Sequence, residues 1–223
     1  MAKKEKKKLS KFEKWFRFLL RLEPIVYRPF FPFKKYKKAE YGDGPYIVVG
    51  NHYSVLDVVF AVRAINKPIH FIAKKELFEK GLMRKFVLKC QCIPVNRDGN
   101  DIKAVMQSMK YLKNGESIAI FPEGTRNKSD EIFLPFKSGA TALSIKTKTP
   151  IIPFVQIKKL RFLRRSHVLY GDPLEFTEYY DRKITEKEIS ECDEILLNKM
   201  HELYNELLEM RSKKKKKKKK KKQ

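Results

Sequence analysis

The chain is short of acid, short of cysteine, and without any long apolar run. Against 51 lysines and arginines stand only 26 aspartates and glutamates, which gives a formal charge of +25 on 223 residues. Residues 213–222 are ten consecutive lysines, so the rest of the chain carries +15. A lysine run of this kind is expected to be solvated and disordered. The body is basic without it, which points to an anionic partner: nucleic acid, an anionic membrane or a phosphorylated substrate. The three cysteines, Cys90, Cys92 and Cys192, are too few and odd in number for a disulfide framework, and they suit a reducing compartment. Cys90-x-Cys92 lacks a second ligand pair, so no zinc site is expected. A bilayer span needs about 20 mostly apolar residues. The best window, 14–33, contains Lys14, Arg17, Arg21, Glu23 and Arg28. The basic start is not followed by the apolar stretch and cleavage site of a signal peptide. No internal repeat is present.

What is there suits one folded domain. A hydrophobic content of 42% argues against disorder, and the length allows a sizeable core. After a lysine-rich head (1–8), residues 9–23 have the period of a helix. Phe12, Trp15, Phe16, Leu19 and Leu22 lie on one side, with Lys14, Arg17 and Arg21 on the other. Pro24 is expected to end it. An aromatic segment follows, with Tyr27, Phe30, Phe31 and Phe33 broken by Pro29 and Pro32. Residues 1–44 therefore fit an amphipathic interfacial anchor, with aromatic groups in the lipid boundary and cations at anionic headgroups. The competing reading is an ordinary helix docked on the core.

From residue 45 strands and helices alternate. Strands are expected at 46–49, 70–73, 93–95, 117–121, 151–157 and 168–170, with helices at 54–65, 77–88, 138–146 and 185–210. A further helix, capped by Asn100, carries Ile102, Val105, Met106, Met109 and Leu112 and stops at Gly115. Thr185-x-x-Glu188 is a capping box for the last helix. This predicts an α/β domain over 45–211, with a central, mostly parallel sheet flanked by helices, and a disordered tail at 212–223.

Two short stretches could carry chemistry. In Asn51-His52-Tyr53-Ser54-Val55-Leu56-Asp57, Ser54 and Asp57 make a capping-box pattern, which is the plain reading. His52 and Asp57 lie about 140° apart on an ideal helix, so they meet only if His52 is in the entering loop. The Gly50-Asn51 break would give that loop its freedom. Asp57 would then hold one imidazole nitrogen and leave the other as a base. Phe121-Pro122-Glu123-Gly124-Thr125-Arg126 also follows a strand. In open α/β sheets ligands bind beyond the carboxyl ends of strands. Arg126 offers a planar fork for phosphate, and Gly124 a close backbone approach. Lys74 and Arg97 follow two more strands. Each of these cations alone fits a solvated surface charge. Together they suggest an enzyme for a phosphate-bearing alcohol.

Asn51–Asp57, then Ile93-Pro94-Val95-Asn96-Arg97, then Phe121–Arg126, then Ile152-Pro153-Phe154-Val155 occur in the order of the four sequence blocks of the glycerolipid acyltransferase family, which residues 45–172 resemble. In size and layout the chain is most similar to bacterial members that acylate 1-acyl-sn-glycerol 3-phosphate. The resemblance implies His52 as general base and Asp57 as its partner. It implies binding of the phosphorylated acceptor by Arg97 and the loop of Glu123, Gly124, Thr125 and Arg126, with Lys74 a further candidate from its place after a strand. The acyl chain would pass from acyl-CoA or acyl-acyl carrier protein to the sn-2 hydroxyl of lysophosphatidic acid, without metal, cofactor or acyl-enzyme. Glu123 would order Arg126 or a neighbouring loop rather than touch phosphate. Glycerol 3-phosphate or another lysophospholipid are alternative acceptors. The expected partners are an anionic phospholipid membrane and acyl carrier protein, on the cytoplasmic face of the cell membrane. A nucleic-acid-binding protein without catalysis is the reading of a different class, though no nucleic-acid motif is present. The chain departs from the family at Cys90-Gln91-Cys92, where many members carry a glycine, and in the lysine tail.

Overall fold

The computed structural model describes residues 10–37, 40–79, 81–96, 101–137, 139–157 and 161–220, with the backbone alone for 37 and 214–220. The chain opens with α1 (Lys11–Val26) and β1 (Phe33–Lys37). There follow β2 (Ile47–Gly50), α2 (Val58–Ile65), β3 (Ile69–Lys74), α3 (Gly81–Lys89) and β4 (Ile93–Val95). Next come α4 (Ile102–Lys113), β5 (Ser117–Ile120) and α5 (Gly139–Thr147). The last elements are β6 (Ile151–Gln156), β7 (Ser166–Tyr170) and α6 (Glu186–Lys220). The sheet order is β1-β7-β6-β2-β5-β3-β4, and every pairing is parallel except β6 with β7.

Helices cover both faces of this sheet, so its central strands are apolar without interruption. All four residues of β2 are buried. Ile47 and Val49 enter the core beneath α4, α5 and α6, while Val48 enters the core beneath α1, α2 and α3. Helix α6 presents Cys192, Leu196, Met200, Leu203 and Leu207 to the first of these cores, a stripe at helical spacing.

Five expectations need correction. Helix α1 does not stop at Pro24 but runs through it to Val26. Proline removes the N–H that would reach the Leu20 carbonyl, and an Arg63 guanidinium nitrogen donates to that carbonyl instead, at 3.0 Å. The aromatic segment does not stay outside the domain: Phe33 begins β1, the edge strand beside β7. Helix α4 is capped by Asp101, whose side chain accepts from Ala104 N at 3.0 Å; Asn100 lies outside the described residues. The same helix buries Ala104, Ser108 and Leu112, leaving Ile102 and Met106 exposed, because only its small-residue face approaches α5 closely. Finally, α6 continues past Met210 to Lys220; lysine's helix propensity favours this, and the like charges three and four apart oppose it.

Helix α1 itself opens with a capping box, Ser10 N donating to Glu13 and Glu13 N to Ser10 Oγ. It buries Phe12 and Phe16 against the core. Among the described residues, no helix is long and apolar enough to cross a membrane.

Candidate active site

Strands β2 and β5 are parallel neighbours, so the loops leaving their carboxyl ends start side by side. Gly50 closes β2 because Phe154 fills the space above it: an added Cβ would sit 2.1 Å from the ring. Lack of a side chain, rather than backbone freedom, is why glycine stands there. Asn51 is then clamped to β6. Its Nδ2 donates to Gln156 O at 2.9 Å, its Oδ1 accepts from Gln156 N at 2.9 Å, and its carbonyl accepts from Gln156 Nε2 at 3.2 Å.

His52 follows in the loop, and Asp57 ends the single 3-10 turn Val55–Asp57 that leads into α2. His52 Nδ1 lies 3.1 Å from Asp57 Oδ2. That same oxygen accepts from Tyr53 N and Ser54 N, each at 2.6 Å, while Ser54 Oγ accepts from Leu56 N. Both readings of the sequence are therefore true of one residue: Asp57 caps the turn and orients the imidazole. The Asp57 side chain is fully buried and the His52 ring retains 14% of its exposure. A carboxylate partner on Nδ1 fixes Nδ1–H as donor, which leaves Nε2 with the free lone pair. The ring also stacks on Phe121, with centroids 4.1 Å apart at 19°.

The second loop braces the first. Glu123 is buried behind it, with Oε1 accepting from His52 N at 2.8 Å and Oε2 from Leu134 N at 3.1 Å. Burial pushes the Glu123 carboxyl above its ordinary range, and the two backbone donors oppose that shift. Asn127 N donates to His52 O at 2.7 Å. Glu123 thus orders the His52 loop, and no bond from it to Arg126 occurs among the described residues. Gly124 has φ of +66°, a conformation that favours glycine, and turns the chain so that Thr125 and Arg126 stand exposed at the site.

His52, Thr125, Arg126 and Lys74 meet at one cavity of about 440 Å³. Lys74 pairs with Glu76 at 2.7 Å on its rim. Beyond this polar mouth the walls are apolar: Val58, Val59 and Val62 of α2 face Phe86 and Val87 of α3. Cys90 and Cys92, both buried and free, also line it. Arg97, expected beside them, lies outside the described residues. Sequence reasoning missed the remaining wall. Phe16, Leu19, Leu20 and Glu23 of α1 close the cavity, and Glu23 forms an ion pair with Arg63 of α2. Forty residues separate that pair, and the only signals for it were a glutamate and an arginine on otherwise apolar helix faces.

A catalytic-type dyad, two cations and a deep apolar pocket stand at the carboxyl edge of a mostly parallel sheet. The Acyltransferase family model matches residues 32–157, more than half the chain and every part of this site except α1. The chain belongs to the acyltransferase family. Among curated relatives of this acyltransferase is a protein of Bacillus subtilis named 1-acyl-sn-glycerol-3-phosphate acyltransferase. It is 29% identical over 171 residues, 74% of this chain and 84% of the relative. A Helicobacter pylori protein of the same name is 33% identical over 129 residues, 56% of this chain and 54% of that one. The acyltransferase also has the fold of the crystal structure of the 1-acyl-sn-glycerophosphate (LPA) acyltransferase PlsC from Thermotoga maritima. The TM-score is 0.61 at 20% identity, over 85% of this chain and 78% of that one.

Proposed function

We propose that this acyltransferase transfers an acyl chain from a thioester, acyl-CoA or acyl-acyl carrier protein, to the sn-2 hydroxyl of lysophosphatidic acid, forming phosphatidic acid. The observation that carries the reading is the joining of His52 and Arg126 to one apolar cavity. The names of the Bacillus and Helicobacter relatives support the choice of acceptor.

The chemistry needs little else. An alcohol is a weak nucleophile near neutral pH, so His52 Nε2 takes the hydroxyl proton as the oxygen attacks the thioester carbon. Asp57 stabilises the imidazolium that forms. The tetrahedral intermediate collapses, the C–S bond breaks, and the imidazolium returns its proton to the departing thiolate. Arg126 and Lys74 hold the acceptor's phosphate and so fix its hydroxyl against the ring, an orientation worth several kcal/mol in barrier. The valine and phenylalanine walls take the acyl chain, at about 0.8 kcal/mol per buried methylene. No cofactor has a part in this scheme.

The enzyme works at the surface of an anionic membrane in this reading, on the cytoplasmic face. Phe18, Ile25 and Val26 of α1 are 55%, 72% and 60% exposed, and Phe30 follows them at 48%. Aromatic and aliphatic groups set among lysines and arginines suit the lipid boundary. The test is acyl transfer to lysophosphatidic acid in vesicles, with both donors offered, by the wild-type chain and His52→Ala. Turnover lost by about 10²–10⁴ in the variant, with fold and vesicle binding kept, is the expected result. Turnover near wild type in the variant would remove His52 from the chemistry, and turnover with glycerol 3-phosphate alone would change the acceptor.

A further inference from the structure

Residues 161–165, just before β7, have no part in the site above, yet they are held by several contacts. Residues Arg161 and Arg164 bridge each other, and Arg164 N donates to Arg161 O at 3.1 Å. The turn is tied to the segment after α1: Leu163 N donates to Phe30 O at 2.6 Å, and Ser166 N to Pro32 O at 2.9 Å. The Phe162 ring stacks on Phe30, with centroids 5.9 Å apart at 13°. Despite these ties Phe162 and Leu163 remain 60% and 64% exposed. Leu163 has φ of +56°, where a leucine is strained. A strained backbone here holds a large apolar side chain out of the protein.

Charge surrounds this tip. Arg161, Arg164 and Arg165, with Arg211 of α6, line a second cavity of about 210 Å³. None of these four arginines forms an ion pair with a carboxylate among the described residues. The turn follows β6, which runs parallel to β2, so it leaves the sheet at the edge from which His52 projects. Planar guanidinium groups suit phosphate oxygens, and an apolar tip beside them suits acyl chains. A nucleic acid would use the arginines but leaves Leu163 without a purpose.

We infer that the 161–165 turn is a second membrane contact: Phe162 and Leu163 enter the lipid boundary, and Arg161, Arg164, Arg165 and Arg211 hold the phosphate of an anionic glycerophospholipid headgroup. With Phe30 it forms a continuous contact beside the site mouth, so that the acceptor reaches His52 from the bilayer edge. The inference rests on the reading that the acceptor is a membrane lipid.

Trp15 is the only tryptophan, which makes a clean reporter possible. The full chain carrying Trp15→Phe and Phe162→Trp is mixed with phosphatidylcholine vesicles containing about 30 mol% phosphatidylglycerol and brominated acyl chains. Blue-shifted, quenched emission is expected, and much less of it without the anionic lipid. Unchanged emission while the protein cosediments with the vesicles overturns the inference, because α1 alone then makes the contact. Replacing Arg161, Arg164 and Arg165 with glutamine is expected to weaken binding to anionic vesicles about fivefold per arginine near physiological salt, while turnover of detergent-dispersed substrate is kept. Unchanged vesicle affinity in that triple variant overturns the inference. So does reversal of the quenching by a single-stranded oligonucleotide but not by soluble short-chain phosphatidylglycerol. Quenching of the reporter by vesicles, together with a wild-type chain that acylates no lipid, would sink the functional reading and leave the contact standing.

Discussion

The two ends of the main cavity are built on opposite terms. At the His52 end several hydrogen bonds converge on each polar side chain. Asp57 Oδ2 accepts three bonds, Glu123 uses both oxygens, and Asn51 is held by three contacts to Gln156. At the α1 end one ion pair sits among valines, leucines and phenylalanines. Among the described residues each end leaves buried atoms without a hydrogen-bond partner, Glu23 Oε1 and Arg63 Nε here and Asp57 Oδ1 and Gln156 Oε1 at the other, so the ends differ in how many bonds converge on each group rather than in complete satisfaction. The first end holds atoms in place to a fraction of an ångström, as proton transfer requires. The second has only to be apolar and closed. Substitutions at the first should therefore reach the rate, and substitutions at the second should reach stability or chain preference.

Asp57→Asn breaks the comparison at its strongest point. The amide keeps the volume, and its one oxygen can still accept the three bonds made to Oδ2, but without the negative charge it stabilises the imidazolium far less. Turnover is expected to fall about 10³–10⁴-fold with little change in thermal unfolding. A variant that unfolds instead would mean that capping, rather than orientation, is the chief task of Asp57. Arg63→Ala tests the other end. It strands the Glu23 carboxylate and takes a donor from Leu20 O beside Pro24, so unfolding should be easier by about 3 kcal/mol in denaturant titration. The double variant with Glu23→Ala should cost less than the sum of the singles, because no charge is then left alone. Arg126→Ala falls between: its guanidinium is exposed at the mouth, so stability is kept. The acceptor KM should rise about tenfold or more while the donor KM holds. A change confined to the donor KM would take phosphate away from Arg126.

The polar end was legible in the sequence and the apolar end was not, for a physical reason. Each charged residue beside a strand end is ordinary by itself, but helix geometry limits how His52 and Asp57 can meet, and the loops that follow parallel strands share one edge. His52 meets Asp57 because it lies in the entering loop, as helix geometry demanded. Of the two partners open to Glu123, Arg126 or a neighbouring loop, it takes the loop through His52 N, a choice that side-chain chemistry does not announce. Apolar residues carry no such label. Leu19 and Leu20 of α1 have the same helical period whether they face lipid, core or cavity. Val105 and Met106 of α4 obey that period and still face outward. Strand β1 was hidden for a related reason: Phe33–Lys37 is an edge strand with three lysines, and only its pairing with β7 marks it.

The smallest expected effect is the sharpest test of what the apolar end is for. Val59 lines the cavity on α2 and is half-buried, so a larger side chain there can enter the empty space without displacing the core. Val59→Phe should shorten the pocket by the length of a few methylenes. Each methylene that a long donor can no longer bury costs it about 0.8 kcal/mol, or about fourfold in kcat/KM. A donor short enough to avoid the ring loses nothing. The expected outcome is a several-fold shift of preference toward shorter acyl donors, with acceptor KM and unfolding unchanged, read by competing two chain lengths in one assay. An equal loss for every length would mean that the ring has disturbed the His52 loop and that the two ends are coupled. No change at all would place the acyl chain outside this cavity.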